Sequence, residues 1–364
     1  MMRWLFGGVL LVSLLWPLGA SGQALPMPIQ VYATHDRSTG RLTLSFSNPV
    51  SGLVTPWVVE GFPPEALALE QFTVTDAGVI YRAPGTGALM LAHPTGRSEP
   101  HPFIPQQPST VFDVAWVASQ DGASVGWAET IFVEGVPQVS LYVADAFGTS
   151  ITALPAPLGT SADPFLRVRP LALSNDRAFF FYDAAAPAQE RPPTEYFNRH
   201  QAIYMFSAAT EQYQPLPGSP TCPCGFGADG AGRQPITLER TEGGFRVSGS
   251  QLPRPISASR PAFSQAGNLY VAPDASLAFY ATAQNLEDNR PEAQFALFWV
   301  DLAAGVQQTL LGPGNQRWHP VRLIDEGQAL LLADVYGGGT YKFNLASQVL
   351  SQVSESTWLG EILP

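Results

Sequence analysis

Lysine is almost missing from this chain. Lys342 is the only one among 19 basic residues in 364, which reads as a bulk preference for arginine rather than a mechanism. Charge of either sign is thin, 13% of residues against about a quarter in ordinary globular chains. It leans acidic, with 30 carboxylates against 19 bases and a net charge of −11. Nucleic-acid binding neutralises phosphates with a basic face, so this balance speaks against it. Helical periodicity is scarce too. Only "PPEALALEQF" (63–72) reads as a helix, and a short one.

Long apolar runs are absent past the first two dozen residues, so no later segment is expected to span a bilayer. The opening "MMRWLFGGVLLVSLLWPLGASGQA" has a basic start at Arg3, an apolar stretch from Trp4 to Leu18, then small residues. That is the layout of a secretory signal peptide over 1–24, cut after Gly22 or Ala24. The alternative is an uncleaved anchor, but the stretch is shorter than the roughly 20 residues a span needs and Pro17 interrupts it. No cysteine follows it, against a lipid anchor. The mature chain is expected to be exported, periplasmic or extracellular, with no stable membrane span.

Cysteine is limited to Cys222 and Cys224, in "TCPCGFGADG" (221–230). A four-ligand zinc site needs two more ligands, and there is neither a Cys-x-x-Cys nor a closely spaced His pair, so no metal is expected. In an exported chain the two cysteines more often bond to each other, in a strained ring that is easily reduced. Free thiols and a redox or metal role remain as alternatives.

What is plentiful is turn chemistry. Pro (34) and Gly (33) are spread along the chain, and one cadence recurs. "DVAWVASQDGASVGWAET" (113–130), "VRPLALSNDRAFFFYDA" (168–184), "LYVAPDASLAFYATA" (269–283) and "VRLIDEGQALLLADV" (321–335) each read strand, tight turn, strand. Asp, Asn and Gly suit such turns because they tolerate positive φ. Each is followed by a second pair of runs, as in "SLYVADAFGTSITALP" (140–155), and an earlier copy starts at "FTVTDAGVIYRAP" (72–84). The turn acids Asp76, Asp121, Asp176, Asp274 and Asp325 are separated by 45, 55, 98 and 51 residues. The doubled gap predicts an eroded copy between 218 and 262, where "PITLERTEGGFRVSGSQL" (235–252) has a hairpin.

Four short strands at this period predict an all-β chain, a β-propeller of four-stranded antiparallel blades, six most readily and five to seven in range. A lone four-stranded sheet has two uncovered faces, so blades bury each other around a ring. Nearly continuous apolar runs such as "AFFFY" (178–182) and "ALLLAD" (329–334) fit sheets covered on both faces. The expected organisation is 1–24 signal peptide, 25–65 N-terminal strands that start an extra blade or close the ring with "TWLGEILP" (357–364), and 66–364 propeller.

The pieces "APDASLAFYA" (272–281), "SQDGASVGWA" (119–128), "LYVAD" (141–145) and "LFWVD" (297–301) resemble the repeat of TolB-type, WD-repeat-like propellers. The likeness covers roughly 70–354. No copy keeps the full Pro-Asp-Gly turn, and Ser207 and Asn344 replace the Asp after the third strand. What the resemblance implies is the fold, and a protein-interaction scaffold in the cell envelope.

The connections "ETIFVEGVPQ" (129–138), "DAAAPAQERPPTEYFNRHQ" (183–201) and "AQNLEDNRPEAQ" (283–294) are the long ones, and all join second to third strands. Function is therefore assigned to that face. Residues entering the innermost strands would ring the channel mouth: Arg167, Arg169, Arg260, Arg317, Trp318, His319 and Arg322. An arginine-rich mouth suits a carboxylate or other anion. Pairing of these arginines with acids between blades is the favoured reading, and Trp318 is expected to pack a blade. "GASVG" (122–126) matches a nucleophile pattern, but Ser124 runs on into a strand with no helix after it, so the match is fortuitous. The acids Glu287, Asp288 and Glu292 lack the alternation of a calcium loop. His35, His93, His101 and His200 are scattered. The reading reached is an exported, non-catalytic platform for a protein, peptide or glycan, without cofactor. The alternatives are a hydrolase or lyase using His319 and a carboxylate at the mouth, or a purely structural envelope protein.

Overall fold

Side-chain chemistry in the turns sets the blade geometry. Asp121 Oδ1 accepts from Ser119 Oγ at 2.6 Å and from the Ala123 amide at 3.2 Å. Asp176 does the same with Ser174 Oγ and the Ala178 amide, and Asp274 with the amide and hydroxyl of Ser276. Each carboxylate thus replaces ladder partners that the chain loses as it reverses. The computed structural model describes residues 27–363 apart from 63–68, 107–110, 135, 161, 164, 188–194, 217–222, 285–292 and 336–337. The proposed leader, Cys222 and hence the candidate disulfide, and Glu287, Asp288 and Glu292 lie outside the described residues.

The strands form seven four-stranded antiparallel sheets, the blades of a propeller. Blades 2 to 7 take four successive strands each, over 72–100, 111–153, 166–215, 223–259, 265–314 and 318–354. Blade 1 is composite. Strands β1 (Ile29–Asp36), β2 (Arg41–Ser47) and β3 (Val54–Glu60) pair with the C-terminal strand β28 (Thr357–Ile362) in the innermost place. The register runs from Ile29↔Ile362 to Ala33↔Thr357. Extra blade and ring closure are therefore one feature, because a three-stranded N-terminal meander leaves an edge that only β28 fills. That makes seven blades, not six.

Two local expectations are corrected. Of the helix expected over 63–72, the described part is a single 3-10 turn at Leu69–Gln71, and Phe72 already opens a strand. The stretch 129–138 is not a loop but the tip of a long hairpin, β9 (Ser124–Val133) and β10 (Val136–Asp145), paired from Asp145↔Ser124 to Val136↔Val133.

Apolar clusters hold the ring together at the blade interfaces. Ile236, Phe245, Tyr280 and Phe298 lock blade 5 to blade 6, and comparable clusters join every neighbouring pair from blades 1 and 2 to blades 6 and 7. Among the described residues no apolar cluster bridges blade 7 and blade 1. There the contacts are polar: an Arg322–Glu361 ion pair, the Trp358 amide donating to Thr340 Oγ1 at 2.8 Å, and the Arg322 guanidinium 5.9 Å from the Trp358 ring. This seam is the least oily joint of the ring.

Candidate functional site

The two faces of the ring differ. On one, the turns between first and second strands grip one another. The Asp76 amide donates to Gly122 O at 2.9 Å, and the Asp121 amide to Asn175 Oδ1 at 3.4 Å. Asn175 Nδ2 donates to Gly230 O at 3.0 Å, and the Gly230 amide to Pro273 O at 2.9 Å. An Arg233–Asp176 ion pair reinforces the chain of contacts, and Gln120 Nε2 reaches past blade 4 to Ala228 O at 3.2 Å. Blades 2 to 6 are thus laced together on this side.

The opposite face carries the long connections, and one of them crosses the channel mouth. Leaving β13 (Phe179–Pro187) of blade 4, residues 195–200 reach blades 6 and 7. The Tyr196 amide donates to Gln265 Oε1 at 2.9 Å, and Arg317 Nη2 donates to the Tyr196 carbonyl. Tyr196 meets Phe295 edge-on at 5.0 Å, and the Arg317 guanidinium lies 5.2 Å from the Phe197 ring. Both aromatics are buried. Gly267 makes room for them, since a Cβ there would come within 2.5 Å of Phe197. At the root of the strap the buried Asp183 carboxylate accepts from the amides of Ala185, Gln201 and Ala202 at 3.0–3.1 Å, with His200 Nδ1 at 3.5 Å. Burial works to raise its pKa, but the His200 contact and the backbone donors outweigh it, and the group stays below the usual carboxylate range.

This strap changes the picture of an open arginine mouth. Arg317 is buried as the strap's anchor, and Trp318 packs edge-on against Tyr341 at 5.0 Å. Arg260 follows an outermost strand rather than opening an innermost one, and its guanidinium sits 4.4 Å from the Phe298 ring. Arg167 is buried 6.0 Å from the Phe132 ring and faces Asp113 and Asp163, while Arg82 pairs with Asp113 at 3.6 Å. His319 stands on the innermost strand of blade 7, in register with Ala333. Arg169, half-buried opposite Asp183, has no bonded partner among the described residues. Ser124 is buried at the start of β9. Of the other histidines, His93 pairs with Glu99 at 3.0 Å, and buried His101 accepts from the Ile104 amide at 3.1 Å.

Two further features of this face carry no sequence motif. The hairpin tip exposes Val133 (40%) and Val136 (53%), and Phe165, two residues before Arg167, is 65% exposed. At the polar seam between blades 7 and 1 lies a small open cleft of about 90 Å³. Its walls include Thr34, His35, Arg37, Asp334, Glu355 and Thr357.

No protein family matches the chain, and no curated protein sequence does either. Solved structures do match in outline. A structure of oligogalacturonate lyase in complex with manganese is 13% identical over 91% of this chain and 97% of its own, with a TM-score of 0.47. A putative 6-phosphogluconolactonase from Bacteroides uniformis is 13% identical over 93% of this chain and 98% of its own, at 0.47. TolB from Acinetobacter baumannii is 11% identical over 91% and 82%, at 0.40. Likenesses this distant say nothing of activity.

Proposed function

We propose that this chain is an exported, non-catalytic platform that binds a protein, peptide or glycan partner on its long-connection face. The observation that carries the reading is the asymmetry of the ring. One face is consumed by turn-to-turn hydrogen bonds, whereas the other presents an upright hairpin with an apolar tip, a strapped mouth and Arg169. Exposed apolar side chains on the face that carries the long connections are what a recognition surface offers. The strap directs binding to the rim rather than down the channel. Export rests on the leading segment; no helix of the described residues is long and apolar enough to cross a membrane.

The test compares partner recovery from an envelope extract by wild type, Val133→Ser/Val136→Ser, Arg169→Ala and Phe147→Ser. Phe147 is as exposed as Phe165 but lies on the laced face, between β10 and its outer neighbour Ile151–Ala153. Recovery lost with the hairpin and Arg169 variants but kept with Phe147→Ser is the expected result. Equal recovery by all four proteins, or equal loss with Phe147→Ser, refutes it.

A further inference from the structure

The upright hairpin of blade 3 has a strand edge that its own blade leaves uncovered. Strand β10 is ten residues long, whereas its outer neighbour β11 (Ile151–Ala153) has three and meets only Tyr142, Val143 and Ala144. In the other blades the outermost strand nearly matches its neighbour; the largest deficit is four residues against six, in blade 5. One further bond, from the Leu154 amide to Leu141 O at 2.9 Å, ends the contact with β10. The chain then leaves for blade 4. Tyr213 Oη donates to Pro155 O at 2.6 Å, and the Leu158 amide donates to Tyr182 Oη at 3.1 Å. Among the described residues, Val136 to Ser140 therefore have no strand on their outer side.

The ladder decides which main-chain groups face outward. Leu141 O accepts on the β11 side, and alternate residues of an antiparallel strand point their N–H and C=O the same way. The β9–β10 register has no shift, so Val139 turns both its N–H and its C=O outward. Pro137 turns a C=O outward and has no N–H. Gln138 and Ser140 spend their groups on Ile131 and Glu129 of β9. The outward groups repeat every second residue, about 6.6 Å, which is the spacing an extended polypeptide offers by construction. A second copy of the hairpin is a poorer match, because its own outward row holds a single donor. Charge at the tip has one sign. Glu134 is exposed, and residues 129–138 include two glutamates and no base.

We propose that the outer edge of β10, from Val136 to Ser140, accepts an extended polypeptide segment as an added strand. The segment runs antiparallel to β10 and in line with β11, with a basic residue near its C-terminal end, beside Glu134. It hydrogen-bonds Val139 N–H, Val139 C=O and Pro137 C=O, and its side chains alternate between the two sides of the hairpin. The inference rests on the platform reading of this face and narrows its partner to a polypeptide.

The probe is acetyl-Thr-Val-Thr-Val-Thr-Lys-amide, rich in strand-forming residues, titrated into the full chain and followed by NMR of the protein amides. It should saturate with a Kd of about 5 mM or tighter and slow exchange of the Val139 amide about tenfold or more. Val139→Pro removes the outward donor without touching a bond to β9, and should weaken the peptide about tenfold. Methylating alternate amide nitrogens of the probe, in either phase, blocks one of its two edges and needs no protein variant. At least one phase should bind about tenfold more weakly than the parent peptide. Glu134→Gln should cost about threefold, and a probe ending in glutamate should bind more weakly than the lysine one. No saturation, Val139 exchange unchanged at saturation, or both methylated probes binding like the parent overturns the inference. So does tighter binding of cellotetraose or of the glutamate probe. Val139 exchange that slows with protein concentration alone gives the edge to a second copy, and overturns it too. The titration contains no extract, so the two readings fail separately. Absent peptide binding beside partner recovery that still needs Val133 and Val136 sinks the added strand and leaves the platform standing.

Discussion

Replacing Phe197 by alanine tests the strap. The ring is buried between Gly267 and the Arg317 guanidinium, at the point where a blade 4 connection meets blades 6 and 7. Truncating a buried phenylalanine costs about 3–5 kcal/mol. Here the loss falls on a segment held by a few contacts, not on a blade, so it should be felt as local opening rather than global unfolding. At about 1.4 kcal/mol per tenfold, the open population rises roughly a hundred- to several-thousand-fold. Arg199 lies within the strap, its side chain 52% exposed, followed by buried His200. Trypsin cleavage there requires the opening, and its rate should rise by about a hundredfold or more, while the urea midpoint moves little. A cleavage rate within about tenfold of wild type, or a urea midpoint that falls by the full cost, would show that the strap does not cap the mouth as an independently opening unit.

Two other perturbations probe the blades. Gly126 lets the Phe180 ring of the next blade lie against β9, since a Cβ there would fall 2.4 Å from the ring. Gly126→Ala should cost about 1–3 kcal/mol in urea denaturation, and Phe180→Leu in the same chain should recover part of it; strictly additive losses would refute the contact. His101, buried and accepting from the Ile104 amide, has its pKa lowered to about 4 by desolvation. The unfolded chain takes up this proton near pH 6.5 and the folded one does not, so stability falls as pH drops from about 6.5 to 4, on the order of 3 kcal/mol in all. His101→Gln, which can still accept the bond, should lose that share of the pH dependence, and an unchanged slope would count against it.

Much of the fold was legible because the turn acids recur. Asp121, Asp176 and Asp274 sit in equivalent turns and make equivalent bonds. The eroded copy has its acid as well: Asp229 accepts from the amides of Arg233 and Gln234. It is hard to see because "CGFGADGAGRQ" has glycine where the other copies have branched strand residues. The blade count was harder, since blade 1 draws on both ends of the chain and neither end shows a complete repeat. The site was less legible. Arg167 and Arg169 do lie on an innermost strand, but Arg260 and Arg317 are held against aromatic rings, which no spacing announces. The cleft is set by residues some 300 positions apart, His35 against Asp334, and lone residues of those types carry no pattern.

The closing of the ring at blade 1 is tested most directly by a cysteine pair at Thr34 and Ser356, whose hydroxyl oxygens stand 2.7 Å apart across 322 residues of sequence. In a chain with Cys222 and Cys224 replaced by serine, Thr34→Cys/Ser356→Cys should oxidise to one intramolecular disulfide in the folded monomer, found by peptide mass spectrometry. Thiols that stay free under oxidation, or that link only between molecules, would contradict a ring whose last strand returns to its first.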